Sequence, residues 1–249
     1  MIDTHCHLTD PQFEGDLAEV LTRAQTAGIS RIVNAGYDVL TSRAAIEQHR
    51  DHPWLVPAAG IHPNEAAAEA LNDFCVIEEI VRSQPVCPVG ETGLDFYRDR
   101  APRPAQEELF LRHIRLARDL GRPLLIHTRN SIDETLAVLE SERYYRGVFH
   151  CFSGTQEQAR RCLQLGFHLG FGGALTFSKK MREVFRIVPL ERILLETDAP
   201  FLPPQGHRGQ RNEPSFMRET LRAAVQLIGR PEEILEEQFD RNASLLFSL

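Results

Sequence analysis

Eight times along the 249 residues, a short apolar or β-branched run gives way to a longer stretch with helical periodicity. The short runs read as strands over Met1–His7, Ile29–Ala35, Leu55–Ile61, Pro85–Glu91, Pro123–His127, Gly147–His150, Phe167–Gly172 and Ile193–Asp198. Between the first two, Leu17, Val20, Leu21 and Ala24 share a helical face, and Gly28 stops the helix. Thr41 or Ser42 is expected to cap a helix running to about Arg50, and Phe74–Val81 belongs to the next helix or helices. Pro104 suits the first turn of a helix ending at Leu120–Gly121, and another covers 131–141. Thr155 with Gln158 predicts a capping box for a helix ending at Gly166, followed by helices at Ser178–Ile187, at 215–228 and from Pro231. Strand and helix repeated eight times in about 250 residues is the arithmetic of a closed (β/α)8 TIM barrel. The competitor, an open doubly wound sheet, usually carries a glycine-rich phosphate loop after an early strand, and none follows the first strand here. One domain over 1–249 is expected.

Potential metal ligands track the predicted strand ends. On a strand, side chains alternate faces, so His5 and His7 point one way and Cys6 the other. Glu91, His127, His150 and Asp198 close strands four, five, six and eight. Six donors therefore gather at the carboxyl ends of five strands, the face on which barrel enzymes place their chemistry. That exceeds what one tetrahedral ion needs and predicts two divalent ions. Glu91 is placed to bridge them, with His5, His7 and Asp198 on the first ion and His127 and His150 on the second. Two cations acidify a bound water, and Asp198 is positioned to accept or orient its proton, so Asp198 and Glu91 are the expected catalytic residues. Four imidazoles suit Zn2+ or Mn2+ better than Mg2+, which prefers oxygen.

Composition narrows the partners. The formal net charge of −7 argues against a broad basic surface, though not against one phosphate chain meeting a local pocket. Lys179 and Lys180 are the only lysines, so a carboxylated lysine on strand four, the bridge in many two-metal barrels, is excluded. The five cysteines have no zinc-finger spacing and read as small buried hydrophobes of a reducing compartment. With no apolar run long enough to cross a bilayer, a cytoplasmic, soluble monomer without membrane contact is expected.

The opening Ile-Asp-Thr-His-Cys-His-Leu resembles the amidohydrolase-like barrel hydrolases, and four further motifs narrow the resemblance to the TatD family of metal-dependent deoxyribonucleases. These are Gly90-Glu-Thr-Gly-Leu-Asp95, Pro123-Leu-Leu-Ile-His-Thr-Arg129, His150-Cys-Phe-Ser-Gly154 and Leu195-Glu-Thr-Asp-Ala-Pro200, with Arg211-Asn-Glu-Pro214 completing the set. Thr9 and Ser131 depart from the common pattern, but neither is a ligand position. The resemblance implies metal-dependent hydrolysis of DNA phosphodiesters, with nucleotides removed from 3′ ends. Relatives that deacylate D-aminoacyl-tRNA keep a small ester, a lactone or an aminoacyl-tRNA bond as the alternative substrate. A metal-binding partner protein without turnover is the non-enzymatic alternative.

Supporting residues are read with their structural alternatives. His62, before Pro63, could reach a substrate phosphate or simply close a turn; Arg129 could bind phosphate or form an ion pair. Arg211 and Asn212 are further expected substrate contacts, and Asp95 is expected to support a ligand histidine. Asp3 and Glu196 lie one layer below the ligands and need partners if buried. Cys6 and Cys151 should turn away from the ions, and Trp54, Tyr144 and Tyr145 should pack at the opposite end. Arg98, Arg100, Arg103, Lys179, Lys180, His207, Arg208 and Arg211 form a basic rim over helices rich in acid. Phe96 and Tyr97 could stack on a base or belong to the core.

Overall fold

Eight parallel strands are present in a computed structural model that describes residues 1–249 apart from Ala67 and Asp99. They are β1 (Ile2–Cys6), β2 (Arg31–Ala35), β3 (Leu55–Ala58), β4 (Val89–Asp95), β5 (Leu124–Arg129), β6 (Gly147–Phe149), β7 (His168–Phe171) and β8 (Ile193–Leu195). Continuous pairing runs through β1-β2-β3 and through β4-β5-β6-β7-β8. Bridges from Ala59 to Val89 and from Cys6 to Ala199 join the two sheets at both seams. The result is the closed (β/α)8 barrel expected from the rhythm.

The helices are α1 (Leu17–Thr26), α2 (Val39–Asp51), α3 (Ala68–Ser83), α4 (Arg103–Leu120), α5 (Ile132–Glu142), α6 (Gln156–Leu165), α7 (Lys179–Phe185), α8 (Met217–Ile228) and α9 (Glu232–Phe247). The Thr155–Gln158 capping box forms, and Ser178 caps α7. For α2 the cap is Asp38, not Thr41 or Ser42. Asp38 accepts from Thr41 N–H at 2.7 Å, and the Thr41 hydroxyl reaches back to the Asp38 amide. A carboxylate one turn upstream satisfies the free amides better than the threonine within the helix.

Inside the barrel, Val33, Val56, Leu125, Val148 and Leu194 fill the axis, and α9 closes its lower end with Leu246 and Phe247. A larger apolar layer between strands and helices includes Phe110, Phe149, Phe167 and Phe185. Trp54, Tyr144 and Tyr145 pack partly buried against that layer, as expected. Cys6, Cys87 and Cys162 are buried, but Cys75 is exposed and Cys151 is half-buried, so the cysteines are not uniformly core. No helix is long and apolar enough to cross a membrane among the described residues.

The consequential departure is β4. Its expected span, Pro85–Glu91, shifts to Val89–Asp95 because Pro85 and Pro88 have no N–H for a ladder, while Thr92–Asp95 pair fully with β5. Glu91 is therefore inside a strand and not at its end. The β4–β5 register slips between Val89 and Thr92, and β1–β2 slips between Asp3 and Cys6. Both irregularities fall where ligands project inward, the use to which bulges are put beside active sites.

Candidate metal centre

Strand β1 brings His5 and His7 to the same side, with their Nε2 atoms 3.2 Å apart. Nδ1 of His7 lies 2.9 Å from the Ala35 carbonyl. That oxygen can only accept, so Nδ1 carries the proton and Nε2 turns toward the centre. Asp198, just beyond β8, donates its amide to the His5 carbonyl at 2.9 Å. Its Oδ1 sits 3.9 Å from His5 Nε2 and 3.6 Å from His7 Nε2. Buried Asp3 ties these segments together by accepting from the Thr197 amide at 3.0 Å and its hydroxyl at 2.6 Å. The partners demanded of a buried carboxylate are thus the two strands that carry the ligands.

Glu91 stands between two histidine groups. Its Oε2 is 3.5 Å from His5 Nε2 and 3.3 Å from His7 Nε2. Its Oε1 is 2.8 Å from both His127 Nδ1 and His150 Nε2. The approach of β4 to β5 depends on Gly93, whose φ is +142° and where a Cβ would lie 2.1 Å from the His127 carbonyl. Cys151, directly after His150, takes a left-handed φ of 43°, and Asp198 takes one of 56°. Such conformations are uncommon for residues with a side chain and cluster at functional sites.

The six expected ligands therefore converge. Burial opposes ionisation of Glu91, yet His150 and His62 nearby and hydrogen bonds to His127 and His150 hold it well below the usual carboxylate range. Asp198 is likewise depressed, burial being outweighed by the hydrogen bond to His7 and the surrounding imidazoles. Burial also works against a charged His127, but its hydrogen bonds to Asp95 and Glu91 raise it to about 9. His5 is lowered to about 4 by burial and by His150.

The donor set fits divalent cations. Ligand atoms in the groups His5–His7–Glu91, His5–His150–Asp198 and Glu91–His127–His150 lie within 4.8 Å of one another. Imidazole nitrogens face each other at 3.2 Å for His5–His7 and 3.3 Å for His127–His150. Carboxylates and imidazole nitrogens buried together at these spacings suit a divalent cation that takes the place of imidazole protons.

Around the ligands, His62 Nδ1 accepts from the Asn64 amide at 3.0 Å, leaving Nε2–H aimed at Glu91 Oε1 at 3.6 Å. Burial and the neighbouring His127 push His62 down to about 3, so it is a neutral N–H donor facing the centre. Asp95 Oδ2 lies 3.4 Å from His127 Nε2 and accepts from Asn64 Nδ2, the supporting place expected of it. Glu196 Oε1 accepts from the Cys151 amide and stands 3.8 Å from His150 Nδ1. Gly170 makes room for it, since a Cβ there would lie 2.3 Å from Glu196 Oε2. Arg129 makes no guanidinium hydrogen bond among the described residues; its Cζ lies 4.0 Å from the centroid of the Tyr97 ring.

Two expected substrate contacts, Arg211 and Asn212, are engaged within the chain. Arg211 forms two 2.7 Å contacts to the Asp16 carboxylate and lies over Phe13, so its charge is already paired. Asn212 is fully buried; its amide donates to the Thr197 and Phe201 carbonyls and its oxygen accepts from Glu213 N–H. Both brace the loop after β8; Asn212 has no exposed polar atom, and the Arg211 terminal nitrogens are taken by Asp16 and the Gln12 carbonyl. Conversely, Asn64, Thr197 and Ala35, which hold His62, Asp3 and His7 in place, escape sequence reading because each acts through a backbone group or a partner distant in the chain.

A family model described as TatD related DNase matches residues 2–248. An uncharacterized metal-dependent hydrolase of Bacillus subtilis, YabD, is 36% identical over 253 residues, covering 100% of this chain and 99% of that protein. The 3'-5' ssDNA/RNA exonuclease TatD of Pantoea ananatis is 34% identical over 261 residues, covering 100% of both chains. Among solved structures, the TatD homologue YJJV of Escherichia coli K12 superposes with a TM-score of 0.92 at 31% identity, covering 100% of this chain and 98% of that one.

Proposed function

This chain belongs to the TatD-related DNase family of metal-dependent hydrolases, and on that premise we propose that it removes nucleotides from the 3′ ends of single-stranded or frayed DNA with two divalent ions. The observation that carries the reading is Glu91, whose two carboxylate oxygens each face a separate pair of imidazoles. His5, His7 and Asp198 would hold one ion and His127 and His150 the other, with Glu91 shared. When bound, such ions supply charge against a nonbridging phosphate oxygen and acidify water.

The chain's own residues do the remainder. Asp198, kept ionised, takes up and orients the proton of the attacking water. His62 Nε2–H offers a neutral donor to a phosphate oxygen at the mouth of the centre. Arg129 brings a positive charge to the rim without a competing carboxylate among the described residues. Asp95, 3.4 Å from His127 Nε2, limits the turning of that ring. Arg129 and the His62 N–H beside the candidate metal centre support the phosphodiester class, since negative charge on the nonbridging and leaving oxygens needs neutralisation.

Metal-stripped protein, supplied with single ions, tests the proposal on 5′-labelled single-stranded DNA beside a panel of esters and lactones. Ion-dependent shortening from the 3′ end is expected, with Mn2+ at least as effective as Mg2+ because the shell is rich in imidazole. Ester turnover with DNA left intact would instead select the small-ester reading.

A further inference from the structure

Large apolar side chains left exposed are informative only where they gather. Among the described residues seven are exposed, and four of these, Tyr97, Phe177, Phe201 and Leu202, stand on loops after β4, β7 and β8 around the mouth of the metal centre. Two carry arginine stacked on the ring: Arg129 Cζ at 4.0 Å over Tyr97, and Arg208 Cζ at 4.9 Å over Phe177. The adjacent Phe96 is partly buried against the core with Arg103 over it, so the two neighbouring aromatics divide into one packing ring and one presented ring.

Tyr97 is also mechanically joined to the centre. Asp95 Oδ1 accepts from the amides of Tyr97 at 2.9 Å and Arg98 at 3.1 Å, fixing that turn. Its other oxygen lies 3.4 Å from His127 Nε2. One carboxylate therefore sets both the imidazole ligand and the loop that presents Tyr97. Tyr97 is 61% exposed, with the Arg129 guanidinium over its ring. An exposed aromatic ring backed by a guanidinium is suited to an unpaired nucleobase, and the guanidinium edge to the phosphate beside it.

We infer that Tyr97 and Arg129 form a single nucleotide subsite, in which an unpaired base stacks on the exposed ring of Tyr97 and its phosphate meets Arg129. The inference rests on the nucleic-acid reading above and sharpens it: a base held in a duplex cannot reach the ring, so the subsite selects single strands or frayed ends. A double-stranded end would have to surrender a base pair to occupy it.

The test uses a ten-residue oligothymidylate and four derivatives, each with one abasic residue at one of the last four positions before the 3′ end. With wild-type protein, kcat/KM is expected to fall about ten-fold at one position, the scale of one aromatic–base stack. In Tyr97→Ala that positional penalty should shrink to less than two-fold, and in Tyr97→Phe it should persist. No positional penalty in wild type, or an equal one in Tyr97→Ala, overturns the inference while leaving the nuclease reading intact. If wild type leaves every oligonucleotide whole with every ion, the nuclease reading falls. Fluorescence anisotropy of the same labelled oligomers then decides the subsite. Equal affinity for intact and abasic strands in wild type overturns it; weaker binding of one abasic strand, erased in Tyr97→Ala, supports it.

Discussion

The two sides of Glu91 are built differently. On the β1/β8 side, His5 and His7 have side chains only 0% and 5% exposed, His7 is oriented by a backbone carbonyl, and Asp3 locks the segment carrying Asp198. On the β5/β6 side, His127 is 17% exposed with Asp95 3.4 Å from its Nε2, and His150 Nδ1 has no hydrogen-bond partner among the described residues, Glu196 standing 3.8 Å away. A backbone carbonyl cannot rotate away, whereas a carboxylate on its own rotamers can. On the proposed two-ion reading, a shared Glu91 need not mean equal sites: an ion on the β1/β8 side would be held tightly, and one on the β5/β6 side, nearer the proposed substrate subsite, more loosely.

The largest expected effect comes from removing the shared group. Glu91→Ala should lower kcat/KM by at least about 10³-fold, because charge stabilisation by both ions is lost together. Retention of more than a tenth of the activity would break the idea of a bridge. Next, His5→Ala and His127→Ala should differ in kind. The first should weaken binding of both ions, and the second should remove the weaker one while leaving the tighter in place, as read by equilibrium dialysis with Mn2+. Equal losses in both variants would erase the asymmetry.

The pH dependence sharpens it further. His127 keeps its proton up to about 9 in the metal-free centre, so an ion arriving at neutral pH must displace that proton. Apparent affinity on that side should rise with pH up to about 9 and level off above, with proton release visible by calorimetry in buffers of different ionisation enthalpy. In the metal-free fold the same proton is stabilising below about 6.5, the ordinary histidine value. That contribution disappears as pH rises through 9, the range in which an ion can replace it. A pH-independent affinity between 6 and 9 would contradict the hydrogen bonding drawn for His127.

Smaller effects belong to the loop after β8. Asn212→Ala should cost about 1–3 kcal/mol in unfolding free energy, since it leaves the Thr197 and Phe201 carbonyls without donors. Arg211→Ala should change stability little, its pair with Asp16 being solvent-screened, and should leave kcat/KM within about two-fold. A large rise in KM for DNA in Arg211→Ala would restore Arg211 as a substrate contact.

The barrel and the convergence of the candidate donors were legible because both rest on periodicity. Eight alternations prescribe the closed sheet, and residues at strand ends share one face, which is why His5, His7, His127, His150 and Asp198 could be placed together. Glu91 was legible as a candidate donor but not as a residue in mid-strand, because the register irregularity beside it depends on how β4 meets β5. Arg211 and Asn212 lie in a motif near the centre, yet nearness along a motif does not say which way a side chain turns. Asp16, far away in sequence, claims the first, and two carbonyls claim the second. Phe96 and Tyr97 could not be separated for the same reason: past the end of a strand, alternation stops giving direction.

The central claim, two unequal cation sites divided by Glu91, is tested most directly by counting Mn2+ bound per chain in wild type and His127→Ala. The account predicts two ions of distinct affinity in the wild type and one, of the higher affinity, in the variant. A single ion in the wild type, or an unchanged pair in the variant, would contradict it.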